Sequence, residues 1–223
     1  YGIDFSSIRA LLITHDHYDH IQSAGYLGEK LHIPVYATRE VHKGIANCPM
    51  VKNTLNGSRR YIEKGNSFTI EDFRITPFEV PHDSTDNVGY FFEFGNHTLA
   101  LATDVGRITD EVACYAKQAH HLVIESNYDE TMLQNGSYPY PLKQRIRSGS
   151  GHLSNRQVSE FVAEHFTSHL RTILLCHLSG DNNNPELAFD TMQQHLLQKG
   201  IVVGKDVGLQ ILKRNTLSSK IDF

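Results

Sequence analysis

Apolar positions recur along the chain with two periods. Alternation or short apolar runs predict strands at 11–14, 35–37, 68–80, 89–94, 98–103, 122–125, 172–176 and 207–212. Spacing near 3.6 predicts helices at 21–31, 39–46, 109–119, 155–169 and 185–199. Local chemistry supports several boundaries. Gly95-Asn96 reads as a hairpin turn between two alternating strands. Ser154, ahead of Val158 and Phe161, stands at an N-cap spacing. Pro185 suits the first turn of a helix, where its missing N–H costs nothing. Periodicity alone says α/β.

Three of the apolar runs end on residues that can ligate a metal. The first gives way to His15-Asp16-His17-Tyr18-Asp19-His20. A chain that stops and turns tightly there sends His15 and His17 to one side and Asp19 and His20 to the other, so one loop serves two adjacent ions. Imidazole and carboxylate suit Zn²⁺, Mn²⁺ or Fe. An isolated His-x-His is more often surface decoration, but here the later chain supplies the missing ligands. His82, in Val80-Pro81-His82-Asp83, completes a three-histidine site with His15 and His17. Asp104 follows the run 98–103, and a carboxylate at a strand end can place one oxygen on each of two ions. His177 follows the run 172–176 and would join Asp19 and His20 on the second ion. Strand ends gathered at one sheet edge are where α/β architectures build sites.

This ligand order resembles that of the metallo-β-lactamase fold hydrolases, over essentially residues 8 to 213. Pro81-His82-Asp83 running into Val88-Gly89-Tyr90, Ala102-Thr103-Asp104-Val105-Gly106, Ile124-Glu125-Ser126-Asn127, Gly151-His152-Leu153-Ser154 and Cys176-His177-Leu178-Ser179 are similar to the YycJ/WalJ branch. That branch is related to tRNase Z, RNase J and the phosphonate-pathway phosphodiesterases, and is linked to DNA exonuclease activity. The first motif is shared across the superfamily and specifies fold rather than substrate; the combination of later motifs is more specific. The resemblance implies a four-layer αββα sandwich. His152 resembles the non-ligand histidine that protonates the leaving oxygen or stabilises phosphoryl charge, roles open to an imidazole near neutral pH; a structural histidine capping a loop is the plainer reading. Glu125 and Asn127 end another apolar strand and are expected to support the ligand histidines.

Length and composition fit a single catalytic domain over residues 1–223, with 39% hydrophobic residues and no low-complexity segment. No apolar run is long enough to span a membrane. Cys48, Cys114 and Cys176 are odd in number and scattered, which argues against a disulfide framework and for a reducing, cytoplasmic setting. Strand alternation turns Cys176 away from His177 and into the core. The chain opens on Tyr1 rather than Met, and the resemblance implies further strands before His15. A truncated form lacking those N-terminal strands is therefore expected.

A net charge of −4 gives no general attraction for nucleic acid, so binding needs a local patch. Lys143, Arg145 and Arg147 stand just before the His152 motif; Lys52, Arg59, Arg60 and Lys64 form a second basic stretch. A plain solvated face explains either cluster at least as well. Tyr18 is a candidate to stack on a base or sugar, and equally to pack against the sheet edge; Asn155 is a candidate for the rim. The function implied is a phosphodiesterase with two divalent ions, a 5′-to-3′ exonuclease on DNA more readily than RNA. In it a hydroxide held between the ions attacks phosphorus, Asp19 and Asp104 hold the ions, and His152 assists departure of the sugar oxygen. The alternatives are a small-molecule ester, thioester or lactam hydrolase of the same fold, and a non-enzymatic partner of two-component signalling. Retention of all seven ligands weighs against the last.

Overall fold

The computed structural model describes residues 2, 4–51, 55–214 and 216–221. Two sheets lie between helices. The smaller is parallel, in the order β1 (Leu11–Leu12), β2 (Val35–Ala37), β3 (Arg59–Tyr61), and is accompanied by α1 (Tyr18–Ile21), α2 (Ala24–Lys30) and α3 (Arg39–Asn47). The larger contains β4 (Phe68–Ile70), β5 (Phe73–Glu79), β6 (Val88–Phe94), β7 (His97–Ala102), β8 (His121–Glu125), β9 (Thr172–Cys176) and β10 (Gly208–Ile211). Its order is β10-β9-β8-β7-β6-β5-β4, parallel from β10 to β7 and antiparallel beyond. The remaining helices are α4 (Asp110–Gln118), α5 (Glu130–Asn135), α6 (Tyr140–Arg147), α7 (Asn155–Glu164) and α8 (Pro185–Gln198). Among the described residues no helix is long and apolar enough to cross a membrane.

The two-residue period of each strand assigns its side chains to two different cores. Ile75, Val88 and Tyr90 join Ile62, with Leu12 and Tyr36 packed alongside, between the sheets. The intervening Phe78 and Phe91, with Ala100, Leu122, Ile124, Ile173 and Leu175, face Val112, Val158, Phe161 and Met192 of the outer helices. Ile13, Val35 and Ala37 of the small sheet pack on Ile21, Val41 and Ile45. Helix, sheet, sheet and helix thus form the four layers expected. Each fully buried Leu, Ile or Phe contributes roughly 1.5–3 kcal/mol by leaving water. Gly89 is fixed by contact: a Cβ there would lie 2.3 Å from Cζ of Phe78.

Capping follows the chemistry of the boundary residues. Ser154 accepts from the Gln157 N–H and Gln157 returns the bond, and Asn184 caps α8 with Pro185 in its first turn. Gly95, at φ 53°, turns β6 into β7 with Asn96. Several elements differ from the periodicity. The strand expected at 68–80 divides because Glu71 takes φ 50° and makes a turn without a glycine. The helix expected at 155–169 stops at Glu164, with His165 as its C-cap. Strand β3 and helices α5 and α6 were not legible, being short and mostly polar.

At the sheet edge where β7 and β8 begin, His97 Nδ1 lies 3.2 Å from His121 Nε2. Burial, with repulsion from His97 and His120, depresses the His121 pKa to about 4. The unfolded chain therefore binds a proton more readily than the folded one. Stability is full above about pH 6.5 and declines as pH falls toward 4, by on the order of 1 kcal/mol. Urea midpoints across that range should show the slope, and His121→Leu should reduce it.

Candidate metal centre

Adjacent strand ends build the site. Asp104 lies two residues past β7, Glu125 ends β8 and His177 follows β9, and these three neighbouring strands are parallel, so their C-terminal ends share one edge. Asp104 and His177 both have φ 54°, in the left-handed region where residues with a Cβ are uncommon. The reversal turns each side chain back over the sheet edge. It also brings His177 to the side of Cys176, which alternation within β9 directs opposite to Ile173 and Leu175; expected in the core, Cys176 is half-buried and lines the site cavity. From the other sheet, the chain past β1 reaches His15, which bridges to Asn87. Helix α1 begins at Tyr18 rather than near residue 21, so His17 is its N-cap and Asp19 and His20 lie on its first turn.

Seven side chains converge. Ligand atoms of His15, His17 and His82 lie within 4.8 Å of one another, as do those of Asp19, His20 and His177. The Asp104 carboxylate stands between the two groups. Its Oδ1 is 3.6 Å from His82 Nε2 and 3.8 Å from His15 Nε2, and its Oδ2 is 3.4 Å from His20 Nε2. His82 donates through Nδ1 to the Gly151 carbonyl at 3.0 Å, which leaves its Nε2 bare, 3.3 Å from His17 Nδ1. His15 Nε2 is buried with no hydrogen-bond partner. Burial lowers the pKa of His15, His20 and His82, assisted at His15 by the surrounding imidazoles. Neutral imidazoles with converging lone pairs around a buried carboxylate fit divalent cations.

Glu125 organises the adjoining wall. It is fully buried, and its Oε2 accepts from the Val105 and Leu153 N–H groups at 2.9 and 3.1 Å. Its Oε1 accepts from His152 Nδ1 at 2.8 Å and His177 Nδ1 at 2.7 Å. Burial alone would raise the Glu125 pKa, but the two imidazole bonds outweigh it and hold the carboxyl at about 2. Burial would likewise lower both histidines, yet the bond to Glu125 wins: His152 is raised, and His177 is pushed up to about 9. Asn127 donates to the His177 carbonyl at 2.8 Å. Both residues support the ligand loop, as expected; that one carboxylate oxygen serves two histidines was not legible.

A cavity of about 800 Å³ opens over this centre. Of the basic residues expected there, Arg145 lines it, ion-paired with Asp83, whose carboxyl it holds low. Lys143 instead donates to the Gln134 and Gly136 carbonyls at 2.8 and 2.7 Å, and Arg147 reaches Glu130 O and Gln134 Oε1 at 3.4 and 3.5 Å. Helical period explains the division: residues four apart share a face, and the one midway between them is directed oppositely. Asn155 is not on the rim. It is buried, bonded to Ser126 Oγ at 2.6 Å and Asn183 Oδ1 at 2.8 Å. Tyr18 is 42% exposed on α1, outside the cavity lining. Of the second basic stretch, Lys52 lies outside the described residues, Arg59 and Arg60 belong to β3, and Lys64 pairs with Asp86 at 2.6 Å. Tyr138, Lys213 and Arg214 line the cavity and were missed. The strand predicted at 207–212 ends on Lys213 and Arg214, a signal like the one that marked Asp104 and His177.

Comparison with known proteins agrees with this geometry. A beta-lactamase superfamily domain matches residues 2–177. The chain is 34% identical over 203 residues to exodeoxyribonuclease YycJ of Bacillus anthracis, covering 91% of this chain and 76% of the relative. It is 36% identical over 197 residues to exodeoxyribonuclease WalJ of Streptococcus pneumoniae, covering 88% and 73%. The fold is shared with the metallo-beta-lactamase fold protein YhfI of Bacillus subtilis, at TM-score 0.67 and 18% identity over 95% of this chain and 78% of that one. It is shared also with Zn²⁺-bound PqqB of Methylobacterium extorquens, at TM-score 0.64 and 19% identity over 92% and 72%. With relatives aligned along most of its length and a donor set suited to divalent cations, this chain belongs to the beta-lactamase superfamily as a metal-dependent hydrolase.

Proposed function

We propose that the protein is a dinuclear-metal phosphodiesterase that degrades DNA from the 5′ end. The observation that carries this reading is the Asp104 carboxylate standing between two ligand triads, His15-His17-His82 and Asp19-His20-His177. The two relatives named as exodeoxyribonucleases favour DNA over other phosphodiesters. Imidazoles and carboxylates accept Zn²⁺, Mn²⁺ or Fe²⁺. The three free cysteines accord with a cytoplasmic enzyme.

When bound, a metal pair acidifies water and neutralises charge developing on the phosphoryl oxygens. The chain's own groups orient and donate. The Gly151 carbonyl holds His82 in the tautomer that frees Nε2. Glu125 seats His152 through Nδ1–H, leaving the Nε2 proton of the charged ring for the departing sugar oxygen. In the metal-free protein the same bond raises the His152 pKa against the effect of burial.

His152→Ala should lower kcat by about 10²–10⁴-fold while metal content by plasma mass spectrometry stays at the wild-type value. Undiminished turnover would remove His152 from the reaction. The function itself is tested with metal-replete protein and end-labelled, 5′-phosphorylated duplex DNA in Mn²⁺ or Zn²⁺. Progressive release of mononucleotides from the 5′ end is expected. Hydrolysis of nitrophenyl esters without turnover of any phosphodiester would assign a small-molecule esterase instead.

A further inference from the structure

The cavity over the metal centre has two basic walls, and they differ in availability. Arg145 on α6 is committed to Asp83. Opposite in origin, Lys213 and Arg214 arrive from the end of β10, the outermost strand of the parallel half of the large sheet. Among the described residues neither has a carboxylate within ion-pair distance. Both are exposed. Arg214 lies over the loop that follows His177: a Cβ built on Gly180 would be 2.6 Å from its Nη1. The nearby Asp181 accepts a hydrogen bond from the Tyr138 hydroxyl at 2.6 Å and forms no ion pair with Arg214. Two cations with no ion-pair partner among the described residues therefore face a cavity whose floor is the candidate ligand cluster, on a chain whose net charge is −4.

Coulomb attraction at such a place selects an anion, and charge-assisted hydrogen bonds from guanidinium and ammonium fit phosphate oxygens. The reacting phosphate belongs at the metal ligands, so the β10 cations address a different one. We propose that Lys213 and Arg214 form an anchor for a second backbone phosphate of the nucleic-acid strand, next to the one being cleaved. The inference rests on the phosphodiesterase reading above. It makes the site selective for a polynucleotide over a diester with one phosphate, using binding energy away from the reacting atoms.

The test compares wild type with Lys213→Ala/Arg214→Ala on 5′-phosphorylated DNA and on bis(p-nitrophenyl) phosphate, which carries one phosphate. Loss of one or two charge-assisted contacts should raise KM for DNA about tenfold or more with little change in kcat. The loss on DNA should exceed that on the small diester by about tenfold. Fluorescence anisotropy of a labelled oligonucleotide in EDTA gives a readout independent of turnover. The variant should bind about tenfold more weakly, with a shallower dependence on salt. Equal losses on both substrates, or oligonucleotide binding by the variant as tight as wild type, would overturn the anchor. So would absence of oligonucleotide binding by wild type. Failure of the phosphodiesterase reading shows separately, as wild-type protein inert toward both phosphodiesters whatever the binding data.

Discussion

Asp104→Asn should lose bound metal and turnover together, with activity at least about 10³-fold below wild type, in a protein that still folds. The substitution is nearly isosteric, and asparagine tolerates the left-handed backbone that Asp104 adopts at φ 54°. Its backbone carbonyl, which accepts from Asn87 Nδ2 at 3.1 Å, is untouched. What disappears is a buried negative charge within 4 Å of the His15, His20, His82, His152 and His177 rings. Without it, two cations would be held close together with far less compensation between them. Metal content after dialysis measures the first loss. Thermal unfolding measures the second: wild-type Tm should rise on adding Zn²⁺ or Mn²⁺ by mass action, and the variant's should respond much less. A variant that kept its metal and its activity would show that Asp104 does not link the two triads. Asp104→Ala is a poorer probe because alanine adds on the order of 1 kcal/mol of backbone strain at this φ.

Glu125→Gln should destabilise the protein by about 2–5 kcal/mol and weaken metal binding about 10–100-fold. Glu125 accepts four hydrogen bonds, two from backbone N–H groups and two from imidazoles. A glutamine has one oxygen, so in either orientation its NH₂ meets groups that were donors. If it faces Val105 and Leu153, two buried N–H groups lose their acceptor. If it faces the histidines, their protons move to Nε2, the nitrogen that His177 would otherwise offer to a metal. The metal-free protein supplies a second signature. The Glu125 pKa falls from 4.5 to about 2, so its contribution is present above about pH 4.5 and lost as pH falls toward 2. The His177 pKa rises from 6.5 to about 9, so its contribution is present below about pH 6.5 and lost as pH rises through 9. In EDTA, the stability that this pair supplies should therefore be greatest between about pH 4.5 and 6.5 and decline on both sides. Glu125→Gln should flatten both flanks, and a profile unchanged by the substitution would remove Glu125 from that role.

These expectations rest on residues that were legible to different degrees. Local periodicity located β2 and β9 to the residue, and the cap at Ser154 and the place of Pro185 in the first turn of α8 follow from the chemistry of those residues themselves. It failed at Glu71, because a tight turn was made by a residue that carries no turn signal, and at α1, because the ligand motif itself forms the helical turn. The basic run 143–147 looked like one patch in the linear chain. As part of α6 it divides between opposite faces, and Lys143 and Arg147 are consumed by carbonyls of α5 and its C-cap Gly136 and by the Gln134 side chain.

The sequence by itself determined the α/β class through its apolar periods and the identity of the seven converging residues through ligand-type side chains placed directly after strands, both short-range terms; the αββα layering was implied only by the resemblance those motifs carry. Tertiary structure alone decided what surrounds them. Glu125 gains its two histidines from segments 27 and 52 residues away, and His82 gains the Gly151 carbonyl across 69. Asn155 is drawn into the interior by Ser126 and Asn183 rather than offered at the rim. Lys213 and Arg214 reach the cavity because β10 pairs with β9 at the edge of the sheet. Such contacts depend on which strands become neighbours, a choice made by burying both faces of two sheets at once and not recorded in any local window of the chain.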